Sequence, residues 1–221
     1  MRRVVLLDMD GVITKSKRLS FPVRDRVCSY VSSRLKVPYH KAERINHHLY
    51  SNFGHTLLGL QKIYDPTLTL QDFCSYVYAP SFLKQLDPVA EEIQLFQKFV
   101  EKARDKGIPV YIFTNANTKW VQHVLQSSHY PIIACDHSIY AHSMSPEPNL
   151  KPNPSTYIRV MQHLKAQQYI FVDDSIPNLL PMLHHKDWKV IWMNNDLHTK
   201  ENIHSHNFHT INDLEQLFIS L

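Results

Sequence analysis

The chain reads as an α/β protein with a doubly wound, Rossmann-like parallel sheet as its core and an inserted α-helical cap. Three observations predict this. Five short runs, Val4–Leu7, Pro109–Phe113, Ile132–Cys135, Tyr169–Val172 and Lys189–Met193, are nearly continuous in apolar residues and rich in β-branched and aromatic ones. That is the pattern of strands covered on both faces. Helical patterns alternate with the runs, which implies parallel strands joined by crossovers. The alternation is uneven, because the first run stops at Asp8 and the second does not begin until Pro109.

The first run ends where the insertion begins. Helical periodicity follows over Pro22–Leu35, Pro38–Tyr50, His55–Ile63 and Leu70–Tyr78. One crossover needs only one helix, so the surplus reads as a lid over the carboxyl edge of the sheet, where open α/β sheets bind ligands. This divides the chain into a core of residues 1–14 and 89–221 and a cap of residues 15–88. Val89–Lys106 is the returning helix, stopped by Lys106-Gly107 with Pro109 just beyond. Asn117–Ser127 follows the second strand. Asn153-Pro154 supplies a capping residue and a first-turn proline for Pro154–Lys165. Pro177–His185 and Leu214–Ser220 complete the helices.

Composition removes several functions. Only four of 221 residues are glycine, against an average of about 7%. No two glycines are two apart, so no dinucleotide-binding fingerprint exists. Gly54 and Gly59 have P-loop spacing, but Leu60-Gln61 follows where Lys-Ser/Thr is required. A G-x-S-x-G nucleophile elbow is also absent. A net charge of +4 suits an anionic small molecule, and without a dense basic stripe it does not suggest nucleic acid. Cys28, Cys74 and Cys135 are scattered and form no CxxC, which points to a reducing compartment. The N-terminal apolar run ends after four residues at Asp8, unlike a secretory signal. No run approaches about eighteen apolar residues, so a membrane span is not expected. The expectation is a cytoplasmic protein.

The strand ends carry the chemistry. They read Asp8-Met9-Asp10-Gly11-Val12, Phe113-Thr114-Asn115 and Val172-Asp173-Asp174-Ser175, with Lys151 in the loop Asn149–Pro154. Four carboxylates at neighbouring strand ends repel one another. They become tolerable around a cation, and all-oxygen ligation selects a hard one such as Mg²⁺. A lysine and a hydroxyl facing the same cleft suit an anionic group.

This set resembles the haloacid dehalogenase superfamily of phosphohydrolases, whose signature is D-x-D-G-x-[TV], a strand-terminal Ser/Thr, a Lys and an acidic pair, in that order. The resemblance implies roles. Asp8 is the nucleophile that forms an aspartyl-phosphate, and Asp10 protonates the leaving oxygen and then activates water. Thr114 and the Asn115 N–H bind phosphoryl oxygens. Lys151 binds the phosphate and offsets charge around Asp8. Asp8, Asp173, Asp174 and Asp10, the last through its carbonyl, hold Mg²⁺, and Asn178 orients the acidic pair. Dehalogenating members lack an acid two residues after the nucleophile, because a halide needs no proton. Asp10 therefore favours phosphoryl transfer, by a phosphatase or by a phosphomutase.

A finer resemblance lies in the insertion. Tyr50-Ser51-Asn52-Phe53-Gly54-His55-Thr56-Leu57-Leu58-Gly59-Leu60 is similar to a segment of the pyrimidine 5′-nucleotidase branch, as is Phe171-Val172-Asp173-Asp174-Ser175 with Asn178. The chain differs from that branch at Gly11, usually Asn, and at Phe53, usually Tyr. The resemblance implies a nucleoside monophosphate as substrate, with a sugar phosphate or other small organophosphate as the alternative. Phe53, Gly54 and His55 become candidates for substrate selection, and Gly59 joins them on the same segment. The competing class is a catalytically idle member that binds a nucleotide or a protein.

The fifteen histidines are read as non-ligating. His198, His204, His206 and His209 sit in a polar stretch without a Cys or acidic partner at ligand spacing. His47-His48 and His184-His185 are expected on helices, where neighbours point apart. The three tryptophans read as packing residues.

Overall fold

A computed structural model describes residues 2–126, 129–134, 150–195 and 208–217. Its strands are β1 (Arg3–Leu7), β2 (Val110–Phe113), β3 (Ile132–Ile133), β4 (Gln168–Asp173), β5 (Trp188–Met193) and β6 (His209–Ile211). They form one parallel sheet in the order β3-β2-β1-β4-β5-β6. Residues Val4 to Leu7 are all fully buried, which explains their unbroken apolarity. Val5 and Leu7 join one apolar cluster, and Val4 and Leu6 join another on the opposite face. Each such side chain contributes about 1.5–3 kcal/mol by leaving water.

Five helices lie between β1 and β2 before the returning helix: α1 (Lys17–Leu35), α2 (Tyr39–Phe53), α3 (Thr56–Ile63), α4 (Leu70–Val77) and α5 (Pro80–Leu83). The first four supply most of a third cluster that includes Tyr30, Leu49, Leu57, Leu60 and Phe73. Leu19 and Leu83 instead join a cluster of the sheet, with Phe82 packed against it, so the first turn of α1 and the end of α5 lean on the core. The remaining elements are α6 (Ala90–Asp105), α7 (Thr118–Leu125), α8 (Pro154–Leu164), α9 (Ile176–Leu179), a 3₁₀ turn (Leu180–Met182) and α10 (Leu214–Leu217). No helix among the described residues is long and apolar enough to cross a membrane.

Several expectations need correction. Helix α1 starts at Lys17, not at Pro22, because Ser16 caps it by accepting the Arg18 N–H at 3.2 Å. Pro22 sits inside the helix and has no N–H for the Arg18 carbonyl. The helix expected over Pro177–His185 divides into α9 and the 3₁₀ turn, within which Pro181 cannot donate. His184-His185 therefore lies beyond the last turn, not on a helix. Strand β6 was unforeseen, and His209 belongs to it. Ser127, Cys135, Asn149, His198, His204, His206 and the tail of the last helix beyond Leu217 lie outside the described residues.

Candidate active site

The strand order reverses at β1, which lies between β2 and β4. Connections leave such a strand to opposite sides, opening a crevice beyond its carboxyl end. Asp8 stands there, continuing the ladder by donating its N–H to the Val172 carbonyl at 2.9 Å. The chain then turns tightly. The Ile13 and Thr14 N–H groups both donate to the Met9 carbonyl at 3.0 Å. Gly11 has φ +88°, and a Cβ there would lie 2.1 Å from Asp174 Oδ2. Glycine is thus required by backbone conformation and by close approach together.

Lys151 is fully buried and spends all three N–H donors. They reach Asp8 Oδ1 at 2.9 Å, Asp173 Oδ2 at 2.6 Å and the Phe113 carbonyl at 2.8 Å. The Asn115 side chain fixes the lysine backbone. Its Oδ1 accepts the Lys151 N–H at 2.9 Å, and its Nδ2 donates to the Lys151 carbonyl at 2.8 Å. Asn153 then caps α8, accepting the Ser155 N–H at 3.0 Å. Thr114 is buried at the end of β2, and its Oγ1 accepts the Ala116 N–H at 3.0 Å. That contact leaves its hydroxyl proton available to the cleft.

Asp173 is held by Ser175 N–H at 2.9 Å and by Asn178 Nδ2 at 3.1 Å. Asp8, Asp173 and Asp174 each present an oxygen within 4.8 Å of the other two. An all-carboxylate trio of this kind fits a hard divalent cation. The Asp10 carboxylate does not belong to the trio. It accepts Trp120 Nε1–H at 3.1 and 3.2 Å and the Thr14 hydroxyl at 3.5 Å. Two donors thus fix its side chain beside, and not within, the trio.

The electrostatics record a shortage of positive charge. Burial pushes Asp8 up to about 7, opposed by Lys151 and reinforced by Asp173 and Asp10. Burial also lifts Asp10 to about 6, against the donors Trp120 and Thr14. Enclosure by the cleft walls, then the charges of Asp173 and Asp8, raise Asp174 to about 8. Burial opposes the charged form of Lys151, but Asp173 and Asp8 outweigh it and hold the ammonium above its ordinary value. One lysine cannot balance four acids, and a divalent cation could.

Above this edge lies a cleft of about 850 Å³, walled on the core side by Asp8, Asp10, Thr114, Asn115, Lys151 and Asp174. Its other wall is helical, with Phe21 and Arg24 from α1, Arg44, Asn46 and Tyr50 from α2, and the turn Gly54-His55. Gly54 ends α2 with φ +69°, and a Cβ there would lie 2.5 Å from Pro152 Cδ. The α2–α3 turn therefore rests directly on the Lys151 loop. His55 caps α3 by accepting the Leu57 N–H on Nδ1 at 3.2 Å, and burial pushes its pKa down to about 4.

The other two residues proposed from that segment stand elsewhere. Phe53 does not line the cleft; it packs with the α1–α4 cluster. Gly59 is wedged between Leu49 and Phe53. Both stand at the packing of α2 on α3, where only a residue without a side chain at position 59 leaves room for Leu49 and Phe53. Three residues at the site escaped the sequence reading: Trp120 behind Asp10, and Asn46 and Tyr50 on the cap wall. The tryptophan's only signal was its place three residues after Asn117, whose side chain caps α7 by accepting the Trp120 N–H at 3.0 Å.

The family model for haloacid dehalogenase-like hydrolases matches residues 2–185. Solved structures share the whole fold at low identity. A HAD phosphatase from Thermococcus onnurineus is 16% identical with a TM-score of 0.60, covering 100% of this chain and 97% of its own. CbbY from Rhodobacter sphaeroides, in complex with phosphate, is 15% identical with a TM-score of 0.62, covering 98% and 96%. An L-2-haloacid dehalogenase is 16% identical with a TM-score of 0.56, covering 100% and 99%.

Proposed function

We propose that this chain, which belongs to the haloacid dehalogenase-like hydrolases, is a Mg²⁺-dependent phosphomonoesterase. Its substrate is a small organophosphate, with a nucleoside 5′-monophosphate as the first choice. The observation that carries the reading is the Asp8–Asp10 pair. A nucleophile held by a buried lysine stands beside a second acid that opens on the same cleft. A halide leaves without a proton, whereas an alkoxide needs one. Solved dehalogenases share the fold, so the second acid, and not the architecture, separates the two chemistries.

In the first step an Asp8 oxygen attacks phosphorus, the P–O ester bond breaks, and Asp10 gives its proton to the departing oxygen. Water then attacks the phosphorus of the aspartyl-phosphate and loses a proton to Asp10, releasing phosphate and restoring Asp8. The Thr114 hydroxyl and the Asn115 N–H hold phosphoryl oxygens meanwhile, and Lys151, releasing Asp8 Oδ1 as that carboxylate turns to phosphorus, offsets the charge that grows on them. Asp8, Asp173, Asp174 and the Asp10 carbonyl would hold Mg²⁺, which when bound supplies charge neutralisation at the phosphoryl group. Residues 15–88 act as the cap, excluding water and meeting the organic part of the substrate.

A sugar phosphate is the second reading, supported by a CbbY mutant solved with xylulose-(1,5)bisphosphate. A phosphomutase would use the same residues and differ only in the acceptor of the aspartyl-phosphate. A purely binding role has no use for Asp10 beside Asp8. The expected result is Mg²⁺-dependent phosphate release from p-nitrophenyl phosphate that disappears in Asp8→Asn. Silence of the intact protein across a broad panel of phosphomonoesters would sink the enzyme reading.

A further inference from the structure

The acids of the cleft are not held alike. Lys151 donates to Asp8 and Asp173, Ser175 and Asn178 add donors to Asp173, and Trp120 and Thr14 hold Asp10. Among the described residues no group donates to the Asp174 carboxylate. It is nonetheless the third member of the trio, and it lines the cleft. A carboxylate without a hydrogen bond of its own takes its place from the backbone beneath it and from what it lies against.

Both of these are fixed from the end of β5. Trp192 pairs with Asp173 in the β4–β5 ladder, and its Nε1–H donates to the Asp174 carbonyl at 3.0 Å. Such a bond is not the general fate of an indole on this strand. Trp188 belongs to the same apolar cluster and stacks on Tyr169 with ring centroids 4.8 Å apart. Its buried N–H has no partner among the described residues.

The surface that the Asp174 carboxylate lies against is Gly11, where a Cβ would lie 2.1 Å from Oδ2. Asn195 Nδ2 donates to the Gly11 carbonyl at 2.7 Å. Asn195 is itself placed by the sheet, since the Asn194 N–H before it donates to the Ile211 carbonyl of β6 at 2.9 Å. Gly11 follows directly on Asp10, so the same amide steadies the turn that carries the Asp10 carbonyl.

We propose that Trp192 and Asn195 are positioning residues for the divalent cation. Trp192 sets the backbone of Asp174, and Asn195 sets the turn that its carboxylate rests on. The inference rests on the Mg²⁺ reading of the acidic trio and adds the residues that stand behind it. Neither residue is a ligand; each acts through the geometry of one. Partners of this kind are worth about 10–100-fold in metal affinity.

The test titrates Mg²⁺ into the full chain by calorimetry near about pH 8, without substrate, as wild type, Asn195→Ala and Trp192→Phe. Each substitution raises the Kd about tenfold. Asn195 is exposed, so its loss leaves the core intact, and Trp192→Phe keeps a ring in the cluster. An unfolded fraction lowers the stoichiometry, not the affinity. The Mg²⁺ concentration that begins to raise the urea midpoint moves up by the same factor. With p-nitrophenyl phosphate, added Mg²⁺ recovers most of the turnover that either variant loses. An unchanged Kd in both variants overturns the positioning role and leaves the metal site and the phosphatase standing. A wild type that releases phosphate but binds no Mg²⁺ overturns the positioning role together with the metal reading, and leaves the phosphoryl chemistry of Asp8 intact.

Discussion

The two walls of the cleft are built on opposite principles. On the sheet edge, charge is packed against charge: Lys151 is fully buried between Asp8 and Asp173, and every ammonium hydrogen is spent. On the cap wall the inner groups are neutral, with a histidine, an amide and aromatic rings, while the cations Arg24 and Arg44 stay exposed. The first wall suits a reaction in which charge moves by fixed amounts. The second suits recognition, where uncharged donors discriminate between acceptors without attracting every anion. Substitutions on one wall should therefore abolish chemistry, and those on the other should redistribute preference.

The largest expected effect is on the sheet edge. Asp8→Asn should lower turnover by at least about 10⁴-fold, because it removes the carboxylate oxygen that takes the phosphoryl; steady-state phosphate release measures it. Lys151→Met should be next. It leaves two buried carboxylates without their cation, at about 4 kcal/mol of folding stability, visible as a lower urea midpoint at neutral pH. A midpoint equal to that of the unaltered protein would show that the lysine is not the charge that holds this edge together.

The walls should also answer acid in opposite directions. Asp8, Asp10 and Asp174 have raised values in the metal-free protein, so the folded state binds more protons and gains stability as pH falls through that range. His55 has the reverse sign. Its folded value is about 4 against 6.5, so the unfolded chain binds the extra proton. Its contribution is intact above about pH 6.5, declines as pH falls from there towards 4, and then levels off. The loss is up to about 3 kcal/mol. Urea titrations in EDTA at pH 7 and pH 4.5, on the wild type and on His55→Asn, isolate it, since the carboxylates are common to both. The variant should lose less stability on acidification; an equal loss would mean that His55 is not buried as a neutral ring.

The smallest effect belongs to Trp120→Phe, which keeps the ring in the core and removes only the N–H donated to Asp10. It should lower kcat about tenfold with little change in KM. A change in KM alone would assign the tryptophan to substrate binding.

The same contrast explains what could be read from the sequence. Buried parallel strands declare themselves by unbroken apolar runs, and acids immediately after them stand out because nothing else there is charged. Asp8, Asp10, Asp173 and Asp174 were therefore visible, with Lys151 beside its helix cap. Strand β6 was not, since its three residues lie at the sheet edge and two of them are exposed. On the cap, Asn46 and Tyr50 occupy positions that helical periodicity assigns equally well to packing. Only the tertiary contacts from Thr56 and Cys28 reveal which atoms of Asn46 are spent. Phe53 and Gly59 show the converse: a segment picked out by resemblance divides into one half that packs and one half, Gly54-His55, that faces the cleft. Trp120 was hidden because its packing role is real, and the sequence says nothing of where the indole N–H points.

Phosphoryl transfer through Asp8 is the central claim, and trapping the intermediate tests it most directly. Asp10→Asn lacks the group that activates water, yet p-nitrophenolate departs without needing a proton. Incubated with Mg²⁺ and p-nitrophenyl phosphate, that variant should accumulate a phosphate linked to the peptide containing Asp8, released by hydroxylamine as an acyl phosphate is. Phosphate recovered on any other residue, or none recovered while the wild type turns over, would contradict the account.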